Sequence, residues 1–171
     1  MARLSHKNGV EEKGQRAERN PVNYRQELGS KEPGLCTKCG TIYIGKRWLL
    51  DEAESKRLIE EESLVTRLTC PACQRMADNN PAGIVTLSGS YLLTHEDEIL
   101  NVIKNTETKS RLKNPLGRIM EINQENNVLT ISTTEDKLAQ KLGREIYKAH
   151  KGELHYQWSH DQHYVRVNWT R

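Results

Sequence analysis

All four cysteines of this 171-residue chain lie in two Cys-x-x-Cys pairs, and no other feature constrains the fold as strongly. The pairs are Cys36 with Cys39 in CTKCG and Cys70 with Cys73 in CPACQ. A Cys-x-x-Cys turn places two thiolates at the separation required by a tetrahedral ion about 2.3 Å from each sulfur, and two such turns complete a four-cysteine site. We therefore predict a zinc-knuckle module of the zinc-ribbon or treble-clef type.

Four soft thiolate ligands leave no open position on the ion, so the site is expected to be structural and not catalytic. Zinc is the expected metal, and iron in the same tetrahedral geometry is the alternative. Gly40, after the first pair, allows the backbone to turn back toward the sulfur atoms. Lys38, inside the same turn, is expected to reduce the negative charge that four thiolates leave around a dication.

No segment of the sequence approaches the roughly 18 apolar residues that a membrane span requires, and the first residues lack the apolar core of a secretory leader. We therefore expect a cytoplasmic protein without a membrane partner. In a reducing cytoplasm, Cys-x-x-Cys pairs hold metals more often than they form structural disulfides. A redox role would require a pair that opens a helix in a βαβ unit, whereas the first pair here precedes a predicted hairpin.

The chain divides into three segments by composition. Residues 1–34 are polar and mixed in charge, which predicts a mobile arm. Residues 35–80, the cysteine module, hold both cysteine pairs, a predicted hairpin turning near Gly45 and Lys46, and a predicted helix after it. Residues 81–171 contain the other periodic segments. The sequence has no Phe, so a module as small as the second segment is expected to need a bound metal for stability.

Residues 81–171 alternate between strand-like and helix-like segments. In chain order these are strand GIVTLSGSYL, helix THEDEILNVIKNTETKSRL, strands GRIMEINQ and NVLTIST, helix TEDKLAQKLGREIYKAHKG, and strands ELHYQWS and HYVRVNW. Thr94-x-x-Asp97 has the pattern of a helix capping box, and Thr133 or Thr134 is expected to cap the second helix. The order β-α-β-β-α-β with an extra terminal strand predicts an α+β, ferredoxin-like βαββαβ(β) domain with both helices on one face of the sheet.

The second predicted helix of this domain carries a basic ridge. Its five basic residues are separated by four, three, four and three positions, which gathers them in one sector of a helix: Lys137, Lys141, Arg144, Lys148 and Lys151. The apolar residues of a neighbouring sector are expected to face the sheet: Leu138, Leu142, Ile146 and Ala149. The ridge is roughly 20 Å long at about 1.5 Å per residue. It predicts contacts with RNA phosphates, and the alternative is a solvated surface without a partner.

Two further basic groups support this prediction weakly. Lys46 and Arg47 lie beside Trp48, and a second group surrounds the segment RLKNPLGR: Lys109, Arg111, Lys113 and Arg118. The formal net charge is only +3, so the argument for RNA depends on where the charges lie.

Four histidines near the end of the chain offer a possible second metal site: His150, His155, His160 and His163. No carboxylate or cysteine completes a familiar ligand set, so we interpret them as exposed turn and strand residues. Tyr156, Trp158 and Trp169 alternate as core residues do, and the aromatic signature of sheet-face RNA recognition is missing. The sequence has no Gly-rich phosphate loop, His-Glu-x-x-His motif or nucleophile elbow, which predicts a protein without enzyme activity or a small-molecule substrate.

Taken with the two cysteine pairs, the segment CPACQRMADNNPAGIVTLSGSYLL and the C-terminal run beginning LTISTTEDKLAQKLG carry a family resemblance. From Leu35 onward the sequence resembles the zinc-bearing N-terminal region of the nonsense-mediated-decay-type large-ribosomal-subunit adaptor. It resembles more closely the short bacterial relatives labelled as affecting ribosome stability and mRNA decay. The resemblance implies a role at the ribosome through rRNA or ribosomal-protein contacts. It covers only one region of the adaptor, so the adaptor's export and tRNA-site functions do not carry over.

The sequence as a whole thus predicts a non-enzymatic zinc protein associated with the ribosome or RNA, which binds phosphates through the basic ridge. The main alternative is a zinc-stabilised protein–protein interaction module in which the ridge serves only solubility. A DNA-binding regulator is the third possibility, although the ridge has few of the Asn and Gln residues that read bases.

Overall fold

The computed structural model describes residues 6–7, 10–13, 33–60, 65–159 and 164–171. The strands are β1 (His6–Lys7), β2 (Val10–Lys13), β3 (Gly34–Cys36), β4 (Ile42–Ile44), β5 (Arg47–Leu49), β6 (Thr66–Leu68), β7 (Gly83–Ser88), β8 (Ile119–Glu125), β9 (Val128–Thr133), β10 (Glu153–Ser159) and β11 (Tyr164–Thr170). The helices are α1 (Glu52–Glu60), α2 (Pro71–Ala77), α3 (Ser90–Thr94), α4 (Glu96–Arg111) and α5 (Asp136–His150). Within these ranges the fold is mixed, with five helices and two mixed sheets.

The smaller sheet belongs to the cysteine module and has the strand order β5-β4-β3-β6. The hairpin β4–β5 turns at Gly45 and Lys46, which have φ values of 57° and 65°. Two successive positive φ values are typical of a type I′ turn, which matches the twist of the flanking strands. The predicted hairpin is therefore confirmed.

The hydrophobic core of the cysteine module is small. Among the module's described residues, its aliphatic cluster consists of Leu35, Ile42 and Leu58, with Val65 packed against them. Leu58 lies on α1, whose start is capped by Asp51 because its Oδ1 accepts the backbone N–H groups of the helix's first turn at 3.0 Å. Burial of three aliphatic side chains contributes only about 5–9 kcal/mol, so this module depends on a further source of stability.

The larger sheet has the order β1-β2-β10-β11-β7-β9-β8. The element order after the cysteine module agrees with the prediction, but β11 pairs in parallel with β7 and lies between β7 and β10. In a ferredoxin-like sheet the fourth strand of the β-α-β-β-α-β unit lies beside the first. Here the extra strand occupies that position, so the predicted arrangement holds only as a coarser α+β architecture.

Alternation of side chains along β7, β9 and β11 produces one large core under the two long helices. Its members include Val85, Leu87, Ile131, Val165 and Val167 from the strands. Helices α4 and α5 contribute five further large aliphatic side chains: Ile99, Ile103, Leu138, Leu142 and Ile146. The hairpin between β8 and β9 turns at Asn126 and Asn127, both with positive φ.

The buried face of α5 differs in part from the prediction. Leu138, Leu142 and Ile146 are buried as expected, whereas Ala149 is exposed. The buried sector also includes Ala139 and Gly143. The buried sector is therefore centred closer to Ala139 and Gly143 than the sequence predicted. Ala149 lies at the margin of this sector, in the last turn of the helix. This places the basic ridge on the side of α5 opposite the core.

The predicted helix caps of the α+β domain are wrong. Thr94 forms no capping box, because its Oγ1 donates to the Tyr91 carbonyl at 3.1 Å and lies 2.7 Å from His95 Nδ1. Helix α4 instead follows α3 almost directly, so the predicted first strand ends at Ser88. The residue preceding α5 is Glu135, which makes no side-chain capping bond. The hydroxyls expected to cap α5 bond neighbouring carbonyls, as short polar side chains often do.

The N-terminal arm also departs from the prediction in its described part. Strand β2 pairs in parallel with β10, with Leu154 opposite Val10, and β1 pairs with β2. An edge strand such as β10 presents unpaired backbone groups that another extended segment can satisfy. Residues 1–5, 8–9 and 14–32 of the predicted arm, and residues 160–163 between the last two strands, lie outside the described residues.

His150 lies at the end of α5 and is only 6% exposed, contrary to the expectation of an exposed residue. Its Nδ1 lies 3.3 Å from Tyr91 Oη, and its Nε2 has no hydrogen-bond partner among the described residues. Burial lowers the pKa of His150; Glu98 opposes this effect, while His95 and Arg171 add to it. The folded protein therefore favours the neutral imidazole.

A pH dependence of stability follows from this burial. Since the folded-state pKa of His150 is lowered, the unfolded chain binds the proton first as the pH falls below about 6.5. The free energy of unfolding should therefore decrease from about pH 6.5 down to the folded-state pKa, with no contribution from His150 above that window. Urea unfolding across this range should show a flatter profile for His150→Gln. An identical slope in the variant would assign the effect to other groups.

None of the helices within the described ranges has both the length and the apolar character needed to cross a bilayer.

Candidate metal centre

The four cysteines converge at the junction of the small sheet and α2. Their sulfur atoms all lie within 4.8 Å of one another, and Cys39 Sγ is 3.7 Å from Cys70 Sγ. Cys36 and Cys70 are fully buried, and Cys39 and Cys73 are half-buried. The predicted ligand set is thus brought together, and these four sulfurs can hold one metal ion. Four thiolates fill a tetrahedral site without leaving a position for a substrate.

The first knuckle is closed by backbone hydrogen bonds around Gly40. The Gly40 N–H donates to the Cys36 carbonyl, and the Cys36 N–H donates to the Thr41 carbonyl, both at 2.9 Å. Gly40 has φ +72°, a conformation that favours glycine, as the sequence predicted. The resulting loop projects Cys36 and Cys39 toward the same point.

The second knuckle opens α2. Cys70 occupies the N-cap position and Pro71 follows at the first helical position, where its missing N–H breaks no helical bond. The Cys70 Sγ accepts the Cys73 N–H at 3.4 Å, and the Cys70 N–H donates to Cys36 Sγ at 3.2 Å. These N–H···S bonds orient the sulfur atoms and connect the two knuckles directly.

The close approach of the sulfur atoms changes their acidity. The hydrogen bond with Cys70 lowers the pKa of Cys39 to about 3, with further bonds from Thr41 and Arg118. The same bond raises the pKa of Cys70, and burial raises the pKa of Cys73. One proton shared between Cys39 and Cys70 explains the opposite shifts. A bound dication replaces such protons, since metal ligands must be thiolates.

Arg118 enters the centre from the segment between α4 and β8. Its Nη2 donates to Cys39 Sγ at 2.9 Å and to Thr41 Oγ1 at 3.1 Å, and its Nη1 donates to Cys73 Sγ at 3.4 Å. The side chain is 7% exposed. Burial alone would lower the pKa of Arg118, but the hydrogen bond to Cys39 and the charges of the sulfurs more than offset it, and the pKa is raised.

The segment that carries Arg118 is held by residues at the start of α5. The Arg118 N–H donates to Thr134 Oγ1 at 2.8 Å, and the Thr134 hydroxyl donates to the Leu116 carbonyl at 2.5 Å. The Asn114 side-chain amide donates to Glu135 Oε2 at 2.6 Å. The metal centre is therefore attached to the α+β domain through the junction of β9 and α5.

The contribution of Arg118 to the centre is not predicted by the sequence. Its neighbours in the chain place it with Lys109, Arg111 and Lys113 in a basic group available to phosphate, but its guanidinium is buried against sulfur. Lys38, which is expected from the sequence to offset the thiolate charge, is exposed. The position of Arg118 just before a strand gives no signal, because its sulfur partners lie 45 to 79 residues away in the sequence.

The basic ridge lies along the solvent-facing side of α5. Lys137, Arg144, Lys148 and Lys151 are exposed, and Lys141 is half-exposed. Lys148 Nζ forms a 2.7 Å ion pair with Glu145 Oε1, which lowers the pKa of Glu145. Lys151 follows the last helical residue, and its carbonyl accepts the Trp169 Nε1–H at 2.6 Å.

The terminal histidines and aromatic residues take separate positions. Tyr156 and Trp169 are buried in the core, in agreement with their interpretation as packing residues, and Trp158 is partly buried against it. His155 is half-exposed and lies 3.7 Å from Glu153, while His160 and His163 are outside the described residues. Within the described ranges, the cysteine cluster is the group of residues arranged to hold a metal.

Fold and site together define a two-sheet α+β protein with a cluster of four cysteines that can hold a metal ion. Comparison of the chain with family models, with curated proteins and with solved structures found no match.

Proposed function

We propose that this chain is a non-enzymatic zinc protein that associates with the ribosome by binding rRNA phosphates. The zinc part of this proposal is carried by the convergence of four sulfurs within 4.8 Å, on a module whose described residues bury few apolar side chains. Zinc is the metal that most often occupies four-thiolate structural sites, and iron is the alternative. Elemental analysis of purified protein distinguishes the two.

The basic ridge is the surface proposed to contact RNA. Its exposed side chains face away from the core, so they are available to phosphates without any rearrangement of α5. Each phosphate that a Lys or Arg neutralises releases counterions, which makes binding steeply dependent on salt. The ion pair between Lys148 and Glu145 reduces the ridge's charge by one. The resemblance of the sequence to ribosome-adaptor relatives supports the ribosome as the target.

Charge reversal of Lys141, Arg144 and Lys148 to Glu is expected to abolish co-sedimentation with ribosomes at moderate salt. Wild-type protein should pellet with ribosomes at roughly 50 mM salt and be progressively released toward roughly 200 mM. All three positions lie opposite the buried face, so the variant should retain its fold. Ultracentrifugation followed by immunoblotting, with and without RNase, measures the association.

The matched control reverses three exposed basic residues that lie outside the ridge and outside the other two basic groups of the sequence: Lys56 on α1, Arg67 on β6 and Lys104 on α4. It changes the net charge by the same amount but leaves the ridge intact, so it should co-sediment like wild type. Equal loss of co-sedimentation in both variants would indicate a dependence on net charge alone. Co-sedimentation of the ridge variant at the wild-type level would refute the proposal that the ridge binds RNA.

A second candidate function, a protein-interaction module, is favoured by one surface feature. A groove of about 580 Å³ runs between α1 and α4 beside Cys39. Three large apolar side chains on it are exposed: Leu50 by 42%, Ile59 by 51% and Leu112 by 74%. Association through this groove would survive RNase and depend little on salt, which separates it from the RNA proposal.

A further inference from the structure

The guanidinium of Arg118 contacts ligands from both knuckles. Cys39 belongs to the first knuckle and Cys73 to the second, and Nη2 also lies 3.9 Å from Cys70 Sγ. Arg118 itself follows α4 in the α+β domain. One side chain of one domain thus bonds sulfur ligands that the other module supplies.

A buried guanidinium is stable only with an anionic partner, because removing a charge from water without compensation is costly. The sulfurs of Cys39, Cys73 and Cys70 lie 2.9, 3.4 and 3.9 Å from the guanidinium nitrogens of Arg118. A dication with four thiolates carries a formal charge of −2, so the metal-bound centre supplies the required anion. The charge on the arginine in turn stabilises the centre.

The other end of Arg118 is fixed to the α+β domain. Its Nε donates to the Pro115 carbonyl at 2.9 Å, and the Thr134 N–H donates to the Arg118 carbonyl at 2.9 Å. With the hydroxyl of Thr134 accepting the Arg118 N–H, these bonds leave the guanidinium little freedom to move. A displaced sulfur cluster would therefore lose Arg118, and a displaced Arg118 would leave the sulfurs without these N–H donors.

We infer that Arg118 is a positioning residue for the metal centre and couples metal binding to the docking of the cysteine module on the α+β domain. This inference rests on the proposed metal site. Because coupling between two equilibria is reciprocal, bound metal strengthens docking, and docking strengthens metal binding by the same factor. The cysteine module is thereby held against the junction of β9 and α5.

The first measurement is the zinc affinity of the full chain, by competition with a chelator of known affinity. Arg118→Met should bind zinc about 10- to 100-fold more weakly than wild type, as found when hydrogen bonds to metal ligands are removed. Arg111→Met is the matched control, because it removes a nearby arginine whose Nε has no hydrogen-bond partner among the described residues. Its zinc affinity should equal that of wild type.

The second measurement is the absorption spectrum of the cobalt-substituted protein, which a purely structural role would leave unchanged. N–H donors withdraw electron density from a thiolate, so their loss should move the sulfur-to-cobalt charge-transfer bands of Arg118→Met to lower energy. The tetrahedral d–d bands should persist. Arg118→Lys keeps the charge with a single nitrogen, and should recover part of the affinity and part of the spectral shift.

The third measurement is amide exchange at the junction of β9 and α5. In wild type and in Arg111→Met, chelation of the metal should reduce protection at Thr134 and in the segment before β8. In Arg118→Met, protection at these amides should already be low and should not respond to metal. This result would show that the arginine transmits the effect of the metal.

Loss of the metal site and loss of the coupling role give different results in these measurements. If wild-type protein binds no metal, the metal site itself is wrong. If wild type binds metal and Arg118→Met matches it in affinity, cobalt spectrum and exchange, the coupling role is wrong while the metal site stands. If Arg118→Met does not fold, Arg118→Lys provides the test. A zinc affinity and a cobalt spectrum of Arg118→Lys equal to those of wild type would show that the guanidinium is not required.

Discussion

Cys70→Ser is expected to lose stoichiometric metal and to unfold the cysteine module, while the α+β domain remains folded. Cys70 is fully buried, caps α2 and contacts Cys39 across the centre. Its loss removes one of four ligands and leaves a buried hydroxyl at the meeting point of both knuckles. Structural zinc contributes about 10–16 kcal/mol to the folding of small modules, which exceeds the contribution of three buried aliphatic side chains.

Two measurements check this expectation on the full chain. Elemental analysis after dialysis should find one metal per wild-type chain and none in the variant. Amide exchange should show lost protection in β3, β4 and α2, with protection retained in β7, β9 and the middle of α5. The α+β domain has its own extensive core, so its fold does not require the metal.

Thr37→Ala is the matched control because Thr37 is exposed within the first knuckle. Its backbone N–H, which donates to the Leu68 carbonyl at 2.9 Å, is unaffected by the substitution. This variant should keep both the metal and the exchange pattern. A Cys70→Ser protein that carried a full equivalent of metal would contradict the assignment of four cysteine ligands.

Ile131→Ala is expected to destabilise the α+β domain by about 2–5 kcal/mol, because truncation leaves a cavity in the close-packed core. Ile131 is fully buried in β9, opposite Val85 on β7, and belongs to the main core cluster. The midpoint of urea unfolding should fall without a change in its slope, provided that the exposed surface of the unfolded state is unchanged.

Ile122→Ala provides a control of the same residue type in the adjacent strand. Ile122 is the direct partner of Ile131 in the β8–β9 pair, yet it is 39% exposed because β8 forms the edge of the sheet. Its truncation should change the free energy of unfolding by only about 0.5 kcal/mol. A comparable loss in both variants would mean that the edge strand is covered in solution.

Local patterns in the sequence were sufficient for the secondary structure of most described segments. Positive φ at Gly45 and Lys46 occurs where the turn residues predicted a hairpin, and the alternation in β11 marks its buried side. Helix caps were less predictable. The hydroxyls of Thr94 and Thr133 each had several carbonyls within reach, and only the tertiary packing determines which of them is bonded.

The order of the strands also depended on information that local patterns lack. The sequence predicted a strand over residues 163–169, but nothing in its alternation specified that β11 lies between β7 and β10. The pairing of β2 with β10 was also not predictable from the sequence, because the arm has no hydrophobic pattern and joins the sheet through its backbone groups. Such pairings join residues distant in sequence and are determined by which edges remain free.

By itself, the sequence identified the basic ridge and the four cysteines that the fold brings together as possible metal ligands. Both are local patterns. The geometry of a turn brings the two cysteines of each Cys-x-x-Cys pair together, and the geometry of a helix brings basic residues spaced by three and four positions onto one side. Only the tertiary structure decided that Arg118 is buried against the cysteine sulfurs and does not belong to a phosphate-binding surface. A buried charge is stable only beside a compensating group. For Arg118 that group is formed by cysteines from segments far away in the sequence, so local patterns do not reveal it.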